Sequence, residues 1–491
     1  MTTRTAAALV TLIAGLVVVP VSPRLQVGEP IRAAAPQEPS TSTLDDQVEL
    51  AVTVYNSQLA MIRDVRKLRL GAGVTDVHFM DIAATVNAAS VHVRSLTEPS
   101  KLGVLEQNYE YDLLDPERLL RKYVGRDVTL VKRTTTNGST TEEPVTATLL
   151  SYNGAPVWRV NGEVVTGMSA DHIRYPELPG NLYARPTLIW TLDNRGAAAH
   201  TVEAAYLAGK LSWAADYVLT VARDDRAADL DGWVTVTNSS GTAFRNARLQ
   251  LVAGELNRVR ERMDQAVAER AARMSVAAEA PAMAEEALSD YHLYTLGRKT
   301  TLNNNQTKQV SLLNATGLGV TKRYVVEGQG YFYRGARVGA SSREPVQVFY
   351  EFKNDAGGGL GLPLPAGTVR VYQADASGGS QFVGEDHIAH SPKDETVTVK
   401  IGNAFDVTSE RVQTDFTRIA DNVFESEYRI TLRNHKTTAV RIDVSEPIGG
   451  TWRMVRSSVP WTKTSAWTAQ FAVPVAADGT TELTYRVRVT Y

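Results

Sequence analysis

Residues Trp213–Val259 read WAADYVLTVARDDRAADLDGWVTVTNSSGTAFRNARLQLVAGELNRV. Their periodicity decides the fold class. In GWVTVTN, Val234 and Val236 fall on one face, and Trp233, Thr235 and Thr237 on the other. In ARLQLVAG, Ala247, Leu249 and Leu251 oppose Arg248 and Gln250. A period of two is the signature of a strand with one buried face. Asn238-Ser239-Ser240-Gly241 separates the two segments with residues that tolerate turn conformations. These are antiparallel strands of a β-sandwich.

The same pattern extends outward. VELAVTVYN alternates from Val48, and VQVFYEFKND, TVRVYQ, TVTVKIG, EYRITLRN, VRIDVSE and LTYRVRVTY continue it to Tyr491. The fold expected is mainly β and multidomain, with immunoglobulin-like antiparallel sandwiches. A small unit interrupts the first of them. It opens with LLDPERLLRKYVG, where Asp115 can cap a short helix that has Pro116 at its first position. Short strands follow, joined by Asn137-Gly138, Asn153-Gly154 and Asn161-Gly162. Asn-Gly is a strong hairpin signal because both residues accept positive φ. This unit is expected to be a small SH3-like barrel insert.

The boundaries expected are a signal peptide at 1–35, a linker at 36–47, and a first sandwich at 48–111 that resumes at 180–257. The insert occupies 112–179, an Ala/Glu/Met-rich helical or disordered excursion 258–290, and a C-terminal sandwich 291–491. Met263, Met274 and Met283 in the excursion could offer a soft docking surface, against the plainer reading of a solvated linker. No exact repeat of fixed period occurs.

The chain has 491 residues, a formal charge of −2 and no cysteine. The charge supplies no global field for nucleic acid. The missing thiols exclude disulfides, thiolate metal sites and cysteine nucleophiles. Near the N-terminus, Arg4 precedes an apolar run from Ala6 to Val19, broken by Pro20. Such a run suits a secretory signal and is shorter than the roughly 20 residues of a membrane span. Export to the periplasm or beyond is expected, with membrane anchoring as the alternative if the signal stays uncut.

Four segments carry a family resemblance: WAADYVLTV, GWVTVTNSSGTAFRNARLQLVAGELNRV, YHLYTLGRKTTLNNNQTKQVSLL and GNAFDV. As a set they resemble the bacterial family catalogued as domain of unknown function 4139, over roughly Val48 to Tyr491. The resemblance implies an exported, β-rich envelope protein. It supplies no catalytic residues.

The chemistry is sparse. No G-x-S-x-G elbow, H-E-x-x-H or Walker loop follows the signal. Asp386, His387 and His390 form one weak metal candidate, set against a polar turn between strands. Asp225, Asp229 and Asp231 crowd before Gly232 as a calcium candidate, but their spacing does not match an EF-hand loop. Tyr331, Phe332, Tyr333, Arg334 and Arg337 lie among glycines. Aromatic and arginine residues of this kind form partner hot spots, while the plainer reading splits their rings between core and surface. Trp452, Trp461 and Trp467 could be core or a carbohydrate platform. No catalytic residue and no cofactor is assigned.

The function expected is that of a non-catalytic protein-binding or scaffold protein of the cell envelope, partnered by an envelope protein. Alternatives are a glycan-directed hydrolase using dispersed carboxylates and a calcium-stabilised adhesion module.

Overall fold

A computed structural model describes residues 39–110, 115–136, 139–179, 185–254, 283–288 and 290–491. The expected signal peptide, Asn137-Gly138 and most of the 258–290 excursion, with Met263 and Met274, lie outside them. Residues 39–491 form one compact unit built of several sheets.

Alternation translates directly into layers. A four-stranded sheet contains Ser40–Ser42, Gly73–Met80, Leu102–Glu110 and Thr187–Asn194. An eight-stranded sheet carries Gln47–Tyr55, Leu59–Arg69, Ala199–Gly209 and Phe244–Ala253 among others. Val77, Phe79 and Trp190 from the first meet Val52, Ile62 and Val202 from the second in a common core. The apolar residues expected to point inward do so: Val234, Val236, Ala247, Leu249 and Leu251 are all buried.

The insert is an independent sheet. Its five strands lie between Asp127 and Arg174, with their own small core around Tyr123, Leu149 and Trp158. Asp115 caps the Pro116–Lys122 helix by accepting from the Arg118 N–H. Asn161 and Gly162 both take positive φ and join two paired strands, as an Asn-Gly hairpin requires.

Three boundaries differ from the sequence expectation. The linker is partly ordered: Ser40–Ser42 pairs in parallel with Val77–Phe79, and Thr43 caps the 3-10 turn at Leu44–Asp46. The end of the excursion is a strand, Ala284–Leu288, antiparallel to Tyr291–Thr295. Pairing with that neighbour overrides the helical propensity of the AEEAL segment. Met283, a candidate for exposed docking, is buried and donates its N–H to Leu312 O.

The third difference is larger. Leu211–Val221 and Ala227–Asn238 belong to a ten-stranded sheet together with Gln306–Glu327 and Gly367–Ala374, rather than continuing the first sandwich. Gln306–Glu327 is a single 22-residue strand. Its first half pairs with Ala227–Asn238, and its second half with Gln347–Lys353 and Val440–Pro447. The C-terminal core then forms between that second half and a five-stranded sheet containing Ser341–Glu344, Val407–Ala420, Val423–Asn434, Gly479–Thr490 and Thr451–Ser457.

A device recurs at irregular spacing. Asn194, Asn238, Asn354 and Asn434 each close a strand or its end and are buried. Each side-chain amide donates to carbonyls of the turn that follows or of a neighbouring segment. Asn238 reaches Thr242 O, Leu302 O and Asn303 O, and Asn434 reaches Thr438 O and Ala476 O. Each side-chain oxygen accepts a backbone N–H in return: Gly196, Ser240, Gly361 and Lys436. One side chain thereby satisfies several buried backbone groups.

Candidate functional site

The strongest chemical constellation lies inside the C-terminal sandwich. Arg411 stands on the Val407–Ala420 strand, in phase with the buried residues Val407, Ser409 and Gln413. Glu446 stands on Val440–Pro447, in phase with Ile442 and Val444. Alternation therefore drives a guanidinium and a carboxylate into the core, where their side chains are 2 % and 0 % exposed.

Arg411 Nη2 donates to Glu446 Oε1 at 2.5 Å, and Arg411 Nε to Glu344 Oε1 at 2.7 Å. Arg411 Nη1 donates to the Tyr485 hydroxyl at 3.0 Å. Tyr333 donates to Glu446 Oε2 at 2.6 Å, which leaves the Tyr333 oxygen to accept from Tyr485 at 2.9 Å. Two donor paths thus run from Arg411 to Glu446, one direct and one through Tyr485 and Tyr333, and together they close a ring of hydrogen bonds. Phe332 and Tyr428 rings lie 4.9 Å and 5.7 Å from the Arg411 guanidinium carbon.

Burial raises the Tyr333 and Tyr485 pKa values well above their ordinary range, and Glu446 adds to the effect. Both phenols are therefore neutral donors at any physiological pH. Burial alone would lower the Arg411 pKa, but Glu446, Tyr485 and Glu344 outweigh it, and the guanidinium stays charged. Glu344 is pushed up by burial more than Arg411 holds it down. Its second oxygen, Oε2, is buried without a hydrogen-bond partner.

This interior holds a surface segment in place. Gly330–Arg334 forms a 3-10 turn. Tyr428 donates to Phe332 O at 2.6 Å, Gln413 Nε2 donates to Gly335 O at 3.2 Å, and the Arg337 N–H donates to Gln413 Oε1. The five residues singled out from sequence are split by this arrangement. Phe332 and Tyr333 are core. Tyr331, Arg334 and Arg337 are exposed, Tyr331 by 51 %. The Arg337 guanidinium lies 4.9 Å from the Tyr331 ring centre, and that of Arg334 lies 5.1 Å from Tyr491. Tyr491 continues into Phe424 and Phe416, with ring separations of 6.1 Å and 5.8 Å. Neither Arg334 nor Arg337 forms an ion pair with a carboxylate among the described residues.

The two metal candidates do not assemble. Asp225 accepts from Tyr350, from Lys322 at 3.0 Å and from Gln373 at 2.8 Å. Asp229 accepts from the Gly317 N–H, and Asp231 from Asn314. Asp386 accepts from the N–H groups of His387 and Lys400, while His390 Nδ1 accepts from the Ala366 N–H. No group of three or more metal-ligating side chains converges among the described residues.

No motif in the sequence singles out His200. Its Nδ1 lies 2.9 Å from Ser95 Oγ and its Nε2 3.0 Å from Asn194 Oδ1. The composition resembles a nucleophile set, but Ser95 is 1 % exposed and its oxygen already accepts from the Glu98 N–H. This trio ties a turn to a neighbouring strand. Trp452 and Trp461 pack with ring centres 5.5 Å apart, and Trp452 is buried while Trp467 is exposed. Trp461 also borders a shallow surface cavity of about 370 Å³ formed by residues 454–461.

Searches against protein-family models and against curated proteins find no match for this chain.

Proposed function

We propose that this protein is an exported, non-catalytic binding or scaffold protein of the bacterial cell envelope, of the kind catalogued as domain of unknown function 4139. Its partner-binding face is the exposed surface of Tyr331, Arg334, Arg337 and Tyr491. The observation that carries the reading is the rigid support under that face. Backbone groups at Phe332, Gly335 and Arg337 are each held by a side chain of the sandwich core. Aromatic and arginine side chains concentrate binding energy in protein interfaces. Fixing them beforehand lowers the ordering cost of association. The apolar N-terminal run motivates the exported location, and the four resembling segments motivate the family.

The test is a photo-reactive amino acid in place of Tyr331, followed by crosslinking in intact cells and mass spectrometry. One envelope protein captured near stoichiometry, and lost on Arg337→Glu, is the expected result. A capture profile that Arg337→Glu leaves unchanged overturns the reading.

A further inference from the structure

The strand Phe244–Ala253 departs from regular pairing twice, and each departure carries cations. Against Thr300–Leu302 it pairs at Phe244 with Leu302 and at Ala247 with Thr300. Arg245 and Asn246 therefore stand opposite the single Thr301, which makes a β-bulge. Asn246 takes a left-handed φ of 48°, and its N–H donates to Thr301 Oγ1 at 3.1 Å. Further along, Leu249 O accepts the Leu296 N–H at 3.0 Å, and pairing resumes between Gln250 and Thr295. Gly297, Arg298 and Lys299 are thereby looped out opposite Arg248. The bulge and the loop bring Arg245, Arg248, Arg298 and Lys299 to one place on the sheet, and all four are exposed.

No counter-ion is built into this place. None of the four cations makes an ion pair or a side-chain hydrogen bond among the described residues. Residues 232–254 and 291–326 contain no Asp or Glu. On the parallel neighbouring strand, Arg248 pairs with Ala51, and Glu49 two residues earlier is bound by Arg63 at 2.7 Å. Glu285, on the strand beyond Tyr291–Thr295, lies 2.8 Å from His292 Nδ1. A fifth cation joins the group. Lys308 Nζ donates to the carbonyl of Thr301, the residue opposite the bulge, at 2.8 Å. Burial and the charge of Arg298 both hold the Lys308 pKa below its ordinary value. Like charges gathered across a sheet oppose folding, and here the backbone is kinked to gather them.

We infer that the bulge at Arg245–Asn246 and the loop at Gly297–Lys299 form a site for a phosphate group, with Arg245, Arg248, Arg298 and Lys299 donating to its oxygens. The density of charge selects the ligand class. A carboxylate carries one negative charge, whereas a phosphate monoester carries about 1.5 to 2 at neutral pH and presents three acceptor oxygens. Arginine forks match phosphate oxygens two bonds at a time. A phosphorylated headgroup at a membrane surface and a soluble phosphate compound offer the same chemistry. The site uses no residue of the Tyr331 face and stands independently of it.

The test uses the full chain and inorganic pyrophosphate, titrated by calorimetry at about 50 and 200 mM salt, a range over which phosphate contacts weaken strongly. Saturable binding, weakened at least tenfold by Arg248→Gln/Arg298→Gln, is the expected result. Arg453→Gln/Lys463→Gln, at exposed cations elsewhere on the chain, should leave it unchanged. The Arg248→Gln/Arg298→Gln variant relieves like-charge crowding, so its thermal midpoint should be no lower than the parent's, and lost binding is then not lost folding. Vesicles of phosphatidylcholine containing phosphatidic acid identify the source. Co-sedimentation that pyrophosphate displaces assigns the site to a lipid headgroup, and pyrophosphate binding without co-sedimentation assigns it to a soluble ligand. Absence of saturable pyrophosphate binding, or a titration that Arg248→Gln/Arg298→Gln leaves unchanged, would overturn the inference. So would equal displacement of pyrophosphate by an oligoglutamate peptide, which would show that any carboxylate suffices.

Discussion

Tyr333 donates its hydroxyl to Glu446 Oε2 at 2.6 Å, from a surface turn to a carboxylate with no solvent exposure. The bond joins the mobile-looking glycine-rich sequence GQGYFYRGARVG to the centre of a sandwich. Tyr333→Phe would keep the ring and leave Glu446 Oε2 without its donor. A buried acceptor stripped of its partner costs about 1–3 kcal/mol, more when charged. A urea denaturation midpoint lowered without a change in slope is the expected measurement.

Arg411 holds the buried Glu446 and the half-buried Glu344, so its loss is expected to be worse. Arg411→Met should destabilise the C-terminal sandwich by roughly 3–5 kcal/mol, the usual cost of orphaning a buried charge. Adding Glu446→Leu to Arg411→Met should recover part of the loss, because one uncompensated charge then disappears. Chemical denaturation of both variants would show it, and an additive double variant would contradict the network.

Gly328 lies against Glu446, and a Cβ built there would collide with the Glu446 carboxylate. That carboxylate cannot swing away freely, being held by Arg411 and Tyr333. Gly328→Ala should therefore lower the thermal midpoint by several degrees and raise hydrogen exchange at residues 330–337, although alanine is small and the position is not strained.

Glu344 has a folded-state pKa above its ordinary value of 4.5, because burial outweighs Arg411. The folded state thus holds this proton more tightly than the unfolded chain. Its contribution to stability is fully present below about pH 4.5 and is lost as pH rises through the raised value. Glu344→Gln should flatten that part of the stability profile. The difference in unfolding free energy between the two proteins, followed from pH 4 upward, checks the sign.

Asn434→Ala removes an amide that serves Thr438 O and Ala476 O and an acceptor for the Lys436 N–H. Leaving buried backbone groups unsatisfied should cost about 1–3 kcal/mol. Asn238→Ala, in the equivalent setting of another sandwich, should behave alike in thermal unfolding.

Local features were readable in the sequence because they depend on neighbours along the chain. Val234, Val236, Leu249 and Leu251 point inward as their alternation requires, and Asn161-Gly162 makes its hairpin. What alternation cannot give is which strand lies beside which. Leu211–Val221 pairs in parallel with Gly367–Ala374, about 150 residues away, and no local pattern encodes that partner. The candidate site was half legible. Tyr331 to Arg337 stood out by composition, yet the 3-10 turn that sends Phe332 and Tyr333 inward breaks the strand period. Arg411 was out of reach, since its phase holds Ser409 and Gln413 beside Val407; Glu446 was within reach, since it shares the apolar phase of Val440, Ile442 and Val444. A charge in that phase is a signal in its own right.

The 22-residue strand Gln306–Glu327 has a mechanical consequence. Extended, it spans up to roughly 70 Å, and it hydrogen-bonds to strands of two successive sandwiches along the way. The ladder has two register shifts, passes Gly317 at positive φ and changes partners after Gly319, so bending between those sandwiches would act on paired backbone instead of a free linker. Tension along the strand would load many backbone bonds in shear at once. Strain applied to one sandwich would therefore reach the other through shared backbone pairing, with Gly317 and the neighbouring bulges as the place where it gives first.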